Sequence, residues 1–252
     1  MKKLFIAFAL ISALFSCKKE ATNSNSTTNT TNGVSCGDNP NINFNSIGTP
    51  IGKFSDCIKD VDGNTYKTVT IGTQTWMAEN LKVSKYNDGT SIKNIIDNTL
   101  WNNDTSGAWA YYNNDAANNA KYGKLYNWYA VSKTTNGNKN VCPTGWHVPT
   151  DAEWSNLIDF LGGEKVACGK MKAVGISNWK GSTNSSLFTG LPSARRSLDG
   201  TFRFIDTVCV WLSSSESSLN DCLVRFIDSG VDNVYRDNGS KNNGASVRCI
   251  RD

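Results

Sequence analysis

The clearest hydrophobic pattern lies after Pro149. Trp154, Leu157, Ile158 and Leu161 share one face of a 3.6-residue period. Thr150 and Glu153 supply the Thr-x-x-Glu of a capping box, and Gly162-Gly163 supplies a stop. Together they predict a helix over 151–161. Tyr122, Leu125, Tyr126 and Tyr129 repeat the spacing and predict a second helix over 121–132. Between 60 and 81 the period changes. A turn at Asp62-Gly63-Asn64 precedes Tyr66, Val69 and Ile71. Gly72-Thr73 then separates these from Thr75, Trp76 and Met77, which predicts a β-hairpin. Residues 82–118 read as loop with Trp101, Trp109, Tyr111 and Tyr112 embedded in it. Short strands follow over 209–213, 223–228, 231–235 and 246–250, separated by polar tracts such as SSSESSLND and RDNGSKNNGA. The fold class is α+β: two helices packed on small antiparallel sheets with long loops.

The N-terminus follows different rules. Residues 1–17 read MKKLFIAFALISALFSC, with Lys2 and Lys3 ahead of an apolar run broken only by Ser12. The run is too short for a transmembrane helix and suits a signal peptide. Leu14-Phe15-Ser16-Cys17 resembles a lipobox, apart from the bulk of Phe15. Residues 1–16 are therefore expected to be removed, and Cys17 to be lipidated. The tract to residue 35 is rich in Asn, Ser and Thr and reads as a flexible tether. Residues 36–57 form a Gly-, Asn- and Pro-containing extension, and 58–252 the folded domain. The expected location is the outer membrane, facing the cell surface, held by lipid rather than by a spanning helix.

Composition narrows the function. The 252 residues carry 26 basic and 22 acidic side chains. Lys2 and Lys3 belong to the leader, which leaves a net charge of about +2. Nucleic-acid binding through a basic surface is not expected. The single histidine excludes a two-His zinc motif, and no Cys-x-x-Cys pair exists. No metal and no cofactor are expected.

Cys17 assigned to lipid leaves seven of the eight cysteines. Export favours disulfides. Cys209 and Cys222 flank a predicted hairpin, and closing a loop of about 14 residues would contribute roughly 3 kcal/mol. Cys36 and Cys57 bracket the N-terminal extension. Cys142 and Cys249 would tie together the ends of the C-terminal half. Cys168 is left over, and spacing alone leaves other pairings open.

Four segments carry a family resemblance: DGNTYKTVTIGTQTWMAENLK, YGKLYNWYAV, CPTGWHVPTDAEWSNLIDFLGG and the closing SVRCIRD. In this order they resemble the Fibrobacter succinogenes major paralogous (FISUMP) domain, over about 58–252. The resemblance implies a surface-exposed, lipid-anchored protein of the kind common in Bacteroidetes. A more distant similarity joins Leu125-Tyr126-Asn127-Trp128 and VPTDAEW to formylglycine-generating-enzyme-like proteins. It implies a C-type-lectin-like fold in which the first and last strands meet, and it supports a Cys142–Cys249 bridge there. Cys168, Cys209 and Cys222 depart from the family pattern.

Candidate chemistry is sparse. His147 has no identifiable partner acid or nucleophile in sequence and reads as structural. The copper-binding cysteine motif of the formylglycine-generating enzymes is absent, as is the triplet of calcium-dependent lectins. Trp76, Trp128, Trp146 and Trp154 are expected in the core. Trp179, Arg195, Arg196, Asp199, Trp211, Glu216, Arg236 and Asp237 lie in the loop-rich half, where such groups suit stacking on and hydrogen bonding to a ligand. The expected function is a non-catalytic binding or adhesion module for glycan or protein. The alternative is a structural surface or matrix protein without a small ligand, and an enzyme is expected least.

Overall fold

The computed structural model describes residues 50–252. The expected signal peptide, Cys17, the expected tether and Cys36 lie outside the described residues. The fold is mixed α+β, mostly sheet with few helices. In chain order it runs β1 (Lys53–Lys59), β2 (Thr65–Ile71), β3 (Gln74–Met77), β4 (Lys93–Asn94), α1 (Asn98–Asn103), β5 (Ala108–Ala110) and α2 (Asn118–Tyr122). Next come β6 (Leu125–Tyr126), α3 (Trp128–Val131), β7 (Trp146–His147), α4 (Asp151–Phe160) and α5 (Glu164–Met171). The chain finishes with β8 (Ser193–Arg196), β9 (Phe202–Ile205), β10 (Val208–Glu216), β11 (Asp221–Asp228), β12 (Val234–Ser240) and β13 (Ile250–Arg251).

Three sheets form, ordered β1-β2-β3-β13-β7, β12-β11-β10-β8-β9 and β4-β5-β6. The predicted hairpin is β2–β3, and Val69 faces Trp76 across it. Its turn uses Gly72 at φ 62, a left-handed conformation that glycine adopts without penalty. The expected domain boundary at 58 falls inside β1, so the fold begins earlier than the sequence suggested. β13 enters between β3 and β7, where Ile250 pairs with both Trp76 and His147. The expected Cys142–Cys249 disulfide forms beside this junction, with Cα atoms 5.9 Å apart.

The other cysteine pairing is overturned. Cys209 and Cys222 are both free and buried, as is Cys168. Cys209 faces Ile227 and Cys222 faces Glu216, so strand register places the two thiols well apart along the β10–β11 ladder. Burial pushes both thiols up to about 12. Cys57 is disulfide-bonded. Its partner lies outside the described residues, as would the Cys36 of the expected pair.

α4 matches the predicted helix, and its capping box is complete. Thr150 Oγ1 accepts from the Glu153 amide while Glu153 accepts from the Thr150 amide. The second predicted helix is broken in two. Gly123, at φ 76, ends α2, and a Cβ there would sit 2.8 Å from the Leu81 carbonyl oxygen. Leu125 and Tyr126 then turn to strand, because Tyr126 exchanges both backbone hydrogen bonds with Ala245. Asn127 caps the short α3 through the Ala130 amide. α5, unforeseen in sequence, buries only Ala167, Cys168 and Met171, too narrow a stripe to stand out. The predicted strand over 231–235 starts at Val234 and runs on to Ser240 through the polar Arg-Asp-Asn-Gly-Ser. β12 is an edge strand, and an edge tolerates polar side chains that blunt further pairing. Of the predicted strand over 246–250 only Ile250 is in β13.

One of the two main apolar clusters lies under α4 and α5. Trp76, Trp154, Phe188 and Trp211 meet there, with ring centroids 4.7 Å apart for Trp76–Trp154 and 5.4 Å for Phe188–Trp211. Trp128 and Trp146 belong to the second cluster, so all four expected core tryptophans are buried.

Candidate functional site

The eight residues singled out for ligand contact do not converge. Trp179 and Trp211 are core residues, 1% and 0% exposed, with no face for a ligand. Their indole N–H groups donate to the Gly190 carbonyl and to Asn80 Oδ1. Trp179 sits in the polar stretch Ser177-Asn178-Trp179-Lys180, which gives no sign of burial, whereas the apolar run Val208-Cys209-Val210-Trp211-Leu212 already marks Trp211 as a core residue. Arg196 is also buried. Its guanidinium donates to the carbonyls of Ile95, Ile96 and Gly200 and stacks 4.3 Å over Trp101. It holds the β8–β9 hairpin against the segment before α1. Burial pulls its pKa down to about 10. Arg195 is half-buried beside the Phe204 ring. Asp199 closes its own turn by accepting from the Thr201 amide and hydroxyl. Arg236 donates to Asp151, 3.0 Å away, and Asp237 accepts from the Asn238 amide on β12. Glu216 alone reaches a cleft, where it pairs with the buried Lys241.

That cleft has a volume of about 580 Å³. Its walls come from the loop after α3, from β7, and from the far end of β10. Its polar lining includes Lys133, Thr134 and Asn140, Ser214 and Glu216, together with His147 and Asp252. The floor is apolar, made by Trp128, Val131 and Val148. Lys241 lies under the floor, its ammonium 4.6 Å over the Trp128 ring and bonded to the Leu219 carbonyl.

The histidine is held from two sides. Nδ1 is 2.6 Å from Asp252 Oδ1, and Nε2 is 2.9 Å from Glu153 Oε1. β13 and β7 are neighbours in one sheet, which brings residue 252 beside His147. Glu153 reaches it from the first turn of α4, so one carboxylate serves two elements: Oε2 caps the helix and Oε1 holds the ring. Burial pushes the Glu153 carboxyl up. The Thr150 amide and hydroxyl and then His147 more than offset that, and it sits below its ordinary value.

His147 was read in sequence as structural, without a partner. The structure corrects this by supplying two. A signal for one was present, since Glu153 follows His147 by six residues across the Pro149 corner and opens α4. Nothing local pointed to Asp252.

Both ring nitrogens face carboxylates, so neither is turned toward a hydroxyl or thiol nucleophile. The three free thiols are buried, and burial raises each above its ordinary value. Among the described residues, no group of three or more His, Cys, Asp or Glu side chains could hold a metal ion. No helix among them is long and apolar enough to cross a membrane.

Fold and site together describe a looped α+β domain with a polar cleft, in which both ring nitrogens of His147 face carboxylates. The chain belongs to the Fibrobacter succinogenes major domain family, whose profile matches residues 69–251. No curated protein and no solved structure matches it significantly.

Proposed function

We propose that this chain is a cell-surface lipoprotein, anchored in the outer membrane through lipidated Cys17, whose domain is a non-catalytic binding module for a glycan or protein. The observation that carries the reading is the cleft between the loop after α3 and the end of β10. It combines hydroxyl, amide, ammonium and carboxylate groups above an apolar floor, a mixture suited to a ligand with both polar edges and apolar faces. The double hold on His147 supports a site that binds rather than turns over. We further infer a C-type-lectin-like arrangement. Support comes from β13 pairing with β3, which joins distant parts of the chain, and from the Cys142–Cys249 bridge at that junction.

The test is a glycan array, run with and without calcium, on the wild-type chain and on Thr134→Trp. Thr134 is exposed on the cleft rim, so the larger side chain fills the cleft without entering the core. The expected result is binding that falls by at least about tenfold in the variant, the loss of one or two good contacts. Equal binding by both proteins would place the ligand elsewhere. Turnover of any bound sugar would overturn the non-catalytic reading.

A further inference from the structure

A neutral imidazole has one N–H and one bare nitrogen, whereas an ionised carboxylate only accepts. His147 faces Asp252 Oδ1 at 2.6 Å and Glu153 Oε1 at 2.9 Å. Both hydrogen bonds therefore exist together only in the imidazolium form. When the ring gives its proton to water, one carboxylate is left against a nitrogen lone pair and must move. The two carboxylates are not equally free. Glu153 is also held by the Thr150 amide at 2.7 Å and the Thr150 hydroxyl at 2.8 Å, and its side chain is 26% exposed. The Asp252 side chain is 61% exposed and has no other hydrogen-bond partner among the described residues. Asp252 is the one released.

We propose that Asp252 is the ligand-facing carboxylate of the cleft, freed when His147 loses its proton, and that it accepts from adjacent hydroxyls of a neutral, hydroxyl-rich ligand. This rests on the reading of the cleft as a binding site. The other charged groups around the ring agree with a neutral ligand. Glu216 on β10 is occupied by Lys241. Arg251 on β13 lies over the Trp146 ring, 5.1 Å from its centroid. Lys133, on the loop after α3, is the exposed cation of the lining. Loss of the His147 proton leaves this lining one negative charge richer, which disfavours anionic ligands.

Two measurements test the proposal separately. His147 is the only histidine, so its ring signals in a ¹³C NMR titration of the full chain are unambiguous. Over a pH titration that carries the ring from imidazolium to imidazole, the Asp252 side-chain carboxyl signal is expected to move in step with the ring. A carboxyl signal that stays still while the ring titrates would overturn the release of Asp252. The second arm measures binding of the methyl glycosides of mannose, galactose and N-acetylglucosamine. Affinity for at least one is expected to rise about tenfold from the acid to the alkaline end, the worth of a hydrogen bond to a charged acceptor, and to stay flat in Asp252→Asn. The same rise in Asp252→Asn would overturn the role of Asp252. Coupled NMR signals with no glycoside bound at either end would overturn the ligand class, leaving the release of Asp252 established.

Discussion

Arg225 and Arg236 stand directly opposite each other on β11 and β12, and both donate to Asp151. Two like charges in register repel. The Asp151 carboxylate, presented by the first turn of α4, lies against both guanidinium groups and so joins the helix to the second sheet.

Asp151→Ala is therefore expected to destabilise the fold by about 3 kcal/mol, since it leaves the buried Arg225 without its counter-charge. Arg236→Ala, which removes the exposed partner, is expected to cost about 1 kcal/mol or less. Denaturant midpoints compare the two. A larger effect at Arg236 would mean that Asp151 is not the anchor of α4.

The acid side of the stability profile has a definite sign. Glu153, Asp104 and Asp62 all sit below their ordinary carboxylate values, because hydrogen bonds and cations outweigh the upward push of burial. A carboxyl lowered in the folded state contributes stability above its unfolded value, and that stability is lost as pH falls through the folded one. Melting temperature is expected to hold through neutrality and to fall on acidification below about pH 4.5. Glu153→Gln is expected to melt lower at neutrality and to show a shallower acid fall. A steeper fall in that variant would contradict the assignment.

The disulfide and the thiols make a paired prediction. Cys142 and Cys249 are 107 residues apart, and removing a cross-link of that span is expected to cost about 4–5 kcal/mol in the chain-entropy model. Cys168, Cys209 and Cys222 are expected to resist alkylation in the folded protein and to react once it is denatured. Mass spectrometry after each treatment counts them. Ready labelling of Cys209 under native conditions would show that its site between the sheets is open.

Trp211 sets a trap for binding experiments. Its ring lies 5.8 Å from Trp154 and 5.4 Å from Phe188, fully buried. Trp211→Ala is expected to cost about 3–5 kcal/mol through the cavity it leaves. Any loss of ligand binding would then accompany a lower denaturant midpoint. A Trp211→Ala protein of normal stability would show that the core repacks around the gap.

Local signals were legible where the chain itself carries the cause. The α4 capping box, the Gly72 turn and the four expected core tryptophans need only near neighbours in sequence. What stayed hidden depends on distant pairing. The broken helix between Tyr122 and Val131 has an unbroken helical period, and only pairing with the distant Trp109 and Ala245 converts Tyr126 to strand. Cys209 and Cys222 bracket a hairpin, yet register sends one thiol into each core cluster. The cleft was least legible. Of the residues named for ligand contact only Glu216 lines it, because the groups around His147 come from β7, α4 and the end of β13.

The placement of β13 also governs when this protein can fold. The Arg248 guanidinium donates to the Met77 carbonyl across 171 residues of sequence, and the β3–β13 ladder spans a comparable distance. Contacts of such long range are entropically expensive to close and slow to form. The first sheet lacks an interior strand until residue 250 has been synthesised. Completion of the sheet, formation of the Cys142–Cys249 bond and assembly of the His147 site fall together at the end of folding.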